Sequence, residues 1–219
     1  LTVTQVAGGT ATGITVAGIT NTAGTVAATL AASCSATTGT VRFQVSDGSL
    51  NGTGDLQLNV NANTAPILSY ANASVVGGGG TAVNPATGPG DNGSVTTMAV
   101  QSAGTYTGTI SVNAAGVVTL ANAAPLGTHT ITIRATDNCG AITDATFQLQ
   151  VTNTAPGFTP ASAIARQQGS AAGAAVTVGT VADAQTPAGS LTVTQVAGGT
   201  ASGISVADIT NTAGMIAAT

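Results

Sequence analysis

Residues 128–156, THTITIRATDNCGAITDATFQLQVTNTAP, carry the pattern that decides the fold. Apolar and polar residues alternate on both sides of the turn signal DNCG at 137–140. The apolar members of the two runs are Ile131, Ile133, Phe147, Leu149 and Val151. A period of two places these side chains on one face of an extended strand and the polar ones on the other. The stretch therefore predicts two antiparallel strands joined by a short turn, each burying one face.

The same alternation continues in both directions from this stretch and is punctuated by two similar linkers. NVNANTAP at 59–66 and QVTNTAP at 150–156 each follow an alternating strand and end in proline, which suits the start of an edge strand. Between the linkers we predict seven strands, at 66–71, 80–85, 94–102, 107–113, 116–122, 127–136 and 142–152. Seven short antiparallel strands are typical of an immunoglobulin-like sandwich.

A long internal repeat sets the domain organisation. Residues 1–29 recur at 191–219 with five differences, which gives a sequence period of 190 residues. We therefore predict an all-β protein of tandem seven-stranded immunoglobulin-like antiparallel β-sandwiches joined end to end. Residues 1–62 would be the C-terminal part of a type 1 domain, 63–152 a complete type 2 domain, and 153–219 the N-terminal part of the next type 1 domain.

The two end pieces are predicted to be incomplete sandwiches. Residues 153–219 would supply the first five strands of a type 1 domain and residues 1–62 its last five. Such pieces are compatible with strand donation from a neighbour, and equally with a window cut from a longer repeat array. We favour the window, because strands three to five are present in both pieces.

The composition excludes several classes of function. The chain has three arginines, no lysine and a net charge of −4, so no nucleic-acid partner is expected. It has no tryptophan, and no apolar run reaches the roughly 18 residues of a membrane span. No nucleophile is accompanied by a base and an orienting group, so we predict that the chain is not an enzyme.

The segments NTAPILSY, NPATGPGDNGSV and THTITIRATDNCGAITDATFQLQVTNTAP resemble the tandem immunoglobulin-like or cadherin-like repeats of large bacterial secreted surface proteins. The resemblance covers essentially the whole chain. It implies an extracellular or cell-surface location and a role in a stalk, an adhesin or a fibre.

The two cysteines, Cys34 and Cys139, fall one in each domain type, so neither can form a disulfide inside its own sandwich. If consecutive sandwiches stack end to end, the loops that carry them should meet at one junction. We predict an inter-domain disulfide, which requires Cα atoms within about 7 Å. Two buried free thiols and an inter-chain bond are the alternatives. One histidine and two cysteines are too few for a tetrahedral metal site.

Four aspartates raise the question of calcium: Asp47, Asp91, Asp137 and Asp183. They fall in loops that should cluster at the N-terminal end of each sandwich, where cadherin-like modules hold calcium. The linkers, however, contain asparagine where a calcium linker is rich in aspartate, and a calcium site needs six to eight oxygens. The alternative is that these residues shape turns. We predict no cofactor and keep the four as weak calcium candidates.

Three further charged or titratable residues have simple interpretations. Arg42 and Arg134 should lie on the outward face of equivalent strands, each paired with a nearby aspartate or in contact with another subunit. His129, at the start of a strand, is expected at the surface.

The leading functional hypothesis is a structural extracellular protein whose repeats form a rigid surface fibre, filament or stalk. Its partner would be other copies of itself, through lateral or end-to-end packing of the sandwiches. One alternative is a cell-surface adhesin or binding module that takes calcium or a glycan. Another is a spacer region of a secreted enzyme.

Overall fold

The computed structural model describes residues 1–197 and 199–219, and its regular elements are strands apart from one short 3₁₀ helix at Ala188–Ser190. The prediction of an all-β protein is confirmed. By Cα packing the chain divides into two compact units. The first contains 1–68, 87–97 and 135–143, and the second contains 69–86, 98–134 and 144–219. No helix within the described ranges is both long and apolar enough to cross a membrane.

Residues 1–62 form five strands in two antiparallel groups. The strands are β1 (Thr2–Val6), β2 (Ile14–Thr22), β3 (Thr25–Ala32), β4 (Gly39–Ser46) and β5 (Asn51–Leu58). One group is a sheet in the order β1-β4-β5, and the other is the hairpin β2–β3. Ala23 and Gly24 connect the hairpin with φ of 49° and 89°, as a two-residue type I′ turn requires. The Asn21 side chain accepts a hydrogen bond from the Gly24 amide at 3.1 Å and fixes this turn.

Nine strand segments follow. They are β6 (Ile67–Tyr70), β7 (Ala73–Val76), β8 (Thr81–Val83), β9 (Pro85–Gly90), β10 (Val95–Ser102), β11 (Thr109–Val112), β12 (Val118–Ala121), β13 (Gly127–Asp137) and β14 (Ile142–Thr152). They form sheets in the orders β10-β13-β14-β7, β11-β12-β8 and β6-β9.

The strands at the start of this segment differ from the prediction. Residues 73–76, expected to be a loop, form β7 and pair with β14 in parallel, whereas all strands were predicted to be antiparallel. The chain leaves the β6–β9 pair and changes sheets at Asn72, whose side chain accepts a hydrogen bond from the Gln148 amide at 2.9 Å. The bond stabilises this crossing, which periodicity cannot reveal because it depends on a distant strand.

The best-packed core of the chain lies in the second unit. Its fully buried side chains alternate along the strands as the sequence predicts, and they include Val118, Leu120, Ile131, Ile133, Leu149 and Val151. Tyr70 and Phe147 stack with ring centroids 5.3 Å apart. The Tyr70 hydroxyl donates to the Gly116 carbonyl at 2.6 Å, so its polar end is satisfied.

His129 was expected at the surface, and that expectation is wrong. The side chain is 2% exposed. Its Nε2 lies 2.8 Å from the Pro125 carbonyl, which can only accept, and its Nδ1 lies 2.7 Å from the Thr105 hydroxyl. Nε2 therefore donates to the Pro125 carbonyl, and Nδ1 and the Thr105 hydroxyl share a second hydrogen bond, so both ring nitrogens have a partner. Strand alternation turns it inward because it shares a face with Ile131 and Ile133.

The described residues of the last segment, 153–197 and 199–219, form four strands, one fewer than predicted. They are β15 (Gly157–Pro160), β16 (Val176–Ala182), β17 (Thr210–Thr212) and β18 (Met215–Ala218), in the order β15-β16-β18-β17. Residues 192–196, identical to β1, are not a strand. In the first unit β1 pairs with β4, and residues 153–219 contain no copy of β4. The absence of a pairing partner accounts for the missing strand.

The burial of two isoleucines, one in each unit, predicts a large difference between their contributions to stability. Ile133 is fully buried, whereas Ile67 is 62% exposed. We expect Ile133→Ala to lower the free energy of unfolding by about 2–5 kcal/mol, because it leaves a cavity in a closed core. The same change at Ile67 should cost less than about 0.5 kcal/mol. Denaturant titrations of both variants test this, and equal losses would contradict the assigned burial.

Candidate functional site

The two cysteines are joined to each other. Cys34, in the loop between β3 and β4, forms a disulfide with Cys139, in the turn between β13 and β14. Their Cα atoms are 5.3 Å apart, and the sequence separation is 105. Both lie in the first unit. The bond joins loops on either side of the linker 59–66. That it serves to lock two consecutive sandwiches together stays a prediction.

Asp137 organises the turn that carries Cys139. The residue is 2% exposed, and its Oδ1 accepts hydrogen bonds from the amides of Cys139 and Ala141, each at 2.8 Å. Its Oδ2 accepts from the Asn63 side-chain amide at 2.7 Å. These donors favour the charged carboxylate. The Asn63 bond foremost, and then the backbone amides, hold the pKa of Asp137 below its ordinary value despite the opposing effect of burial.

Asn92 holds the same linker from a second side. Its Nδ2 donates to the Ala62 carbonyl at 3.0 Å, and its Oδ1 accepts from the Thr64 amide at 3.4 Å. The Thr143 hydroxyl donates to the Pro66 carbonyl at 2.5 Å. Side chains from the β9–β10 loop and from β14 thus pair with polar backbone groups of the linker, which would otherwise be free to move.

The second linker is held by a comparable arrangement within the second unit. The Gln185 Oε1 accepts from the amide and the hydroxyl of Thr154 at 3.1 and 2.7 Å, and its Nε2 donates to the Gly77 carbonyl at 2.9 Å. Asp183 positions this loop by accepting from the amides of Gln185 and Thr186. The two linkers share one feature. In each case a side-chain amide hydrogen-bonds to the linker backbone, and the residue that carries this amide comes shortly after an aspartate in the sequence.

The four calcium candidates are not brought together. Asp47 closes its own exposed turn by accepting from the amides of Ser49 and Leu50. Asp91 accepts from the Gly93 amide, and Asp183 and Asp137 are engaged as described above. Within the described ranges no three His, Cys, Asp or Glu side chains form a metal-type cluster. Asp137 does not fit a calcium ligand, because both of its oxygens already accept from N–H donors and the linker side chain that it contacts is an amide.

The two arginines on equivalent strands each form a bidentate ion pair. Arg42 on β4 bonds to Asp55 on β5 at 2.7 and 2.8 Å, and Arg134 on β13 bonds to Asp144 on β14 at 2.8 and 2.7 Å. Arg42 and Asp55 face each other directly in the strand register. Each pair lowers the pKa of its aspartate. The pairs are partly exposed, so they stabilise the strand pairs only modestly.

Sequence reasoning selected the cysteines and aspartates but missed the amides that contact them. Asn63, Asn92 and Gln185 were treated as ordinary loop residues. The available signal was the recurrence of an amide soon after an aspartate, in DNGS at 91–94 and DAQT at 183–186, with asparagine and threonine in both linkers.

No protein-family model and no curated protein matches the chain. It is similar to the solved structure of the protocadherin GammaB4 extracellular domain, with 16% identity, 100% of this chain and 37% of that chain covered, and a TM-score of 0.37. It is also similar to surface layer protein SbsC, domains 4–9, with 16% identity, 94% of this chain and 34% of that chain covered, and a TM-score of 0.33. A third similar structure is that of a SusE-like surface located polysaccharide binding protein from Bacteroides thetaiotaomicron. The identity is 11%, 67% of this chain and 37% of that chain are covered, and the TM-score is 0.30.

The chain spans only about a third of the length of these three structures. With TM-scores of 0.30 to 0.37, the likenesses carry no information on what this chain binds or does.

The disulfide predicts a redox-dependent stability. A loop of about 100 residues corresponds to about 4.7 kcal/mol in the chain-entropy account of cross-links. We expect reduction, or the double change Cys34→Ser with Cys139→Ser, to lower the free energy of unfolding by several kcal/mol up to that value. Urea titrations with and without reductant measure the loss. Reductant should not affect the double variant further, and an unchanged midpoint after reduction would contradict the prediction.

The Asn63 bond predicts a shifted titration. Because the pKa of Asp137 is lowered in the folded state, its contribution to stability is present above the unfolded value of about 3.9 and is lost as the pH falls through the folded value. Asn63→Ala should move the pKa of Asp137 upward and shrink this acid-dependent loss. Carboxyl NMR titration checks this. Asp47, whose pKa is lowered by the amides of its own turn, is the control and should not move.

Proposed function

We propose that this chain is a structural repeat of an extracellular fibre, filament or stalk, with the Cys34–Cys139 region as the element that stiffens it. The observation that carries the proposal is the number of ties on one short linker. A disulfide brackets residues 59–66, and Asn92 and Thr143 bond directly to the linker backbone. A linker that only had to connect two modules would need none of these.

The physical consequence of these ties is a loss of freedom at the linker. An unrestrained residue has about 1–2 kcal/mol of backbone conformational entropy at room temperature. Hydrogen bonds from neighbouring segments remove that freedom when the chain folds, and the linker backbone then keeps a single conformation. In a tandem array a fixed path at each linker makes the whole array stiff, which is the property that a stalk or fibre needs.

The chemistry of the surface also supports assembly of a polymer. Charged residues make up 5% of the chain, and Arg42 and Arg134 are already neutralised by aspartates on their own sheets. Neighbouring copies therefore experience little electrostatic repulsion. A sparsely charged surface rich in threonine, alanine and asparagine is compatible with lateral packing.

The disulfide supports an extracellular or cell-surface location. Structural disulfides persist in oxidising compartments and are rare where thiols are kept reduced. The rest of the junction consists of side-chain amides, a hydroxyl, backbone groups and the Asp137 carboxylate, which is held by N–H donors rather than by a cationic side chain. Such a junction suits a protein exposed to a variable medium.

Electron microscopy of the native material under non-reducing conditions tests the proposal. Each sandwich should be about 40 Å long, from strands that rise about 3.3 Å per residue. We expect long ordered filaments with an axial repeat near twice that length. The matched variant, Cys34→Ser with Cys139→Ser, should give more strongly curved filaments. Short, separate, flexible strings would contradict the proposal and favour an adhesin stalk or a spacer of a secreted enzyme.

A further inference from the structure

The loop between β9 and β10 holds a chemically reactive pair of residues beside the first linker. The chain contains two Asn-Gly pairs, at 51–52 and 92–93. In such a pair the glycine nitrogen can attack the side-chain amide carbon of the asparagine, because glycine has no Cβ to obstruct the five-membered ring that forms. Asn92 and Gly93 are both exposed, and Asn92 is the residue whose side chain bonds to the Ala62 carbonyl of the linker.

The nitrogen that would attack is hydrogen-bonded to a carboxylate. The Gly93 amide donates to Asp91 Oδ2 at 2.7 Å. Within the described residues the other oxygen of Asp91, Oδ1, has no hydrogen-bond partner. A carboxylate at this distance from an N–H group is placed to accept its proton as a general base. Asp91 therefore contacts the one proton that the attack must remove.

The carbonyl that would be attacked is held as well. Asn92 Oδ1 accepts a hydrogen bond from the Thr64 amide at 3.4 Å. Negative charge develops on this oxygen as the ring closes, and a backbone N–H group directed at it stabilises that charge. The bond is long in the resting loop, as hydrogen bonds of this kind often are before reaction. A nucleophile, a base and an oxyanion donor thus converge on one Asn-Gly pair.

Packing fixes the glycine of this pair. A Cβ atom at Gly93 would lie 2.6 Å from Asn138 Oδ1, which is closer than van der Waals contact allows. Asn138 is itself fixed there, because its Oδ1 accepts from the Ser94 amide at 3.1 Å. A larger residue, which would slow ring closure, therefore does not fit at position 93 in this loop.

We propose that Asn92 is a site of spontaneous deamidation, promoted by Asp91 and Thr64, and that the reaction removes one of the bonds that hold the linker 59–66. The Gly93 nitrogen bonds to Asn92 Cγ, and the Cγ–Nδ2 bond breaks. Asp91 takes the Gly93 amide proton and passes it to Nδ2, which leaves as ammonia. Water then opens the succinimide, giving aspartate if the bond to Cγ breaks and isoaspartate if the bond to the main-chain carbonyl carbon breaks.

Either product changes the contact with the linker. The Nδ2 group that donates to the Ala62 carbonyl at 3.0 Å is lost, and the carboxylate that replaces it has no proton to donate. Isoaspartate also lengthens the main chain by one carbon. The Cys34–Cys139 disulfide and the Thr143 bond remain, so the linker is loosened and stays attached. The effect on a fibre rests on the proposed function, in which these ties make the array stiff: the material would become more compliant with age.

The second Asn-Gly pair is an internal reference. Asn51 and Gly52 lie in β5, opposite Ser46 and Val45 of β4. Ring closure there would require the backbone to leave its extended conformation and to lose hydrogen bonds of the ladder. The residue before Asn51 is not an aspartate. The folded structure therefore favours reaction at Asn92, whereas in the unfolded chain the two pairs should react at similar rates.

Peptide mass spectrometry of the chain, incubated in mildly alkaline buffer, measures both pairs in one sample. We expect Asn92 to deamidate at least about tenfold faster than Asn51 in the folded chain, and the two rates to converge in urea. Asp91→Asn keeps an acceptor for the Gly93 amide but removes the base, so it should slow the reaction at Asn92 by a similar factor. Asp183→Asn makes the same change in the loop at the second linker and should leave the rate at Asn92 unchanged. Circular dichroism verifies that each variant is folded.

The substitution Asn92→Asp tests the effect on the linker. NMR amide order parameters are about 0.85 for rigid backbone and below about 0.6 for flexible backbone. We expect those of Ala62 and Asn63 to fall toward the flexible value in this variant and to stay unchanged in the control Asn51→Asp. Equal rates at Asn92 and Asn51 in the folded chain, or an unchanged rate in Asp91→Asn, would overturn the promoted deamidation.

Unchanged order parameters in Asn92→Asp would overturn its effect on the linker. None of these outcomes bears on whether native material forms ordered filaments, so the failure of this inference is distinguishable from the failure of the proposed function.

Discussion

A segment of this protein forms a strand only where a neighbouring strand pairs with its edge, and its apolar side chains are buried only where a second layer covers them. The internal repeat isolates this constraint, because the same residues occur in two settings. Residues 2–6 pair with β4 and form β1, whereas the identical residues 192–196 have no such neighbour and are not a strand. Val26 lies in an open layer and is half exposed, whereas its counterpart Ile216 is buried. Tertiary partners, and not local propensity, decide between these states.

The same constraint explains why the linkers carry so many side-chain bonds. A linker has neither a ladder nor a covering layer, so its backbone groups need other partners. Here they find amides and hydroxyls: Asn92 and Thr143 at one linker and Gln185 at the other. At the first linker the Asp137 carboxylate also contributes, and N–H donors stabilise its negative charge. The donors are the Asn63 side-chain amide and the backbone amides of Cys139 and Ala141, so hydrogen bonds from uncharged groups stabilise this buried charge.

The sequence predicted well what depends on alternation. Strands β10 to β14 fall close to the predicted ranges, because each alternates over several residues and is bounded by turn signals. Where a choice between partners decides the outcome, prediction failed. β7 was missed because its pairing with β14 is long-range. His129 was placed outside because polarity was weighed above its position on the inward face of β13.

In the candidate site, too, some residues could be predicted from the sequence and others could not. Cysteines are rare enough in this chain for one in each domain type to indicate a pairing across the linker. Asparagine and threonine are so common here that no single one of them stands out from composition. Asn63 became visible only when the structure placed its amide beside Asp137. Rare residues can therefore be assigned a role from sequence, while abundant ones need coordinates.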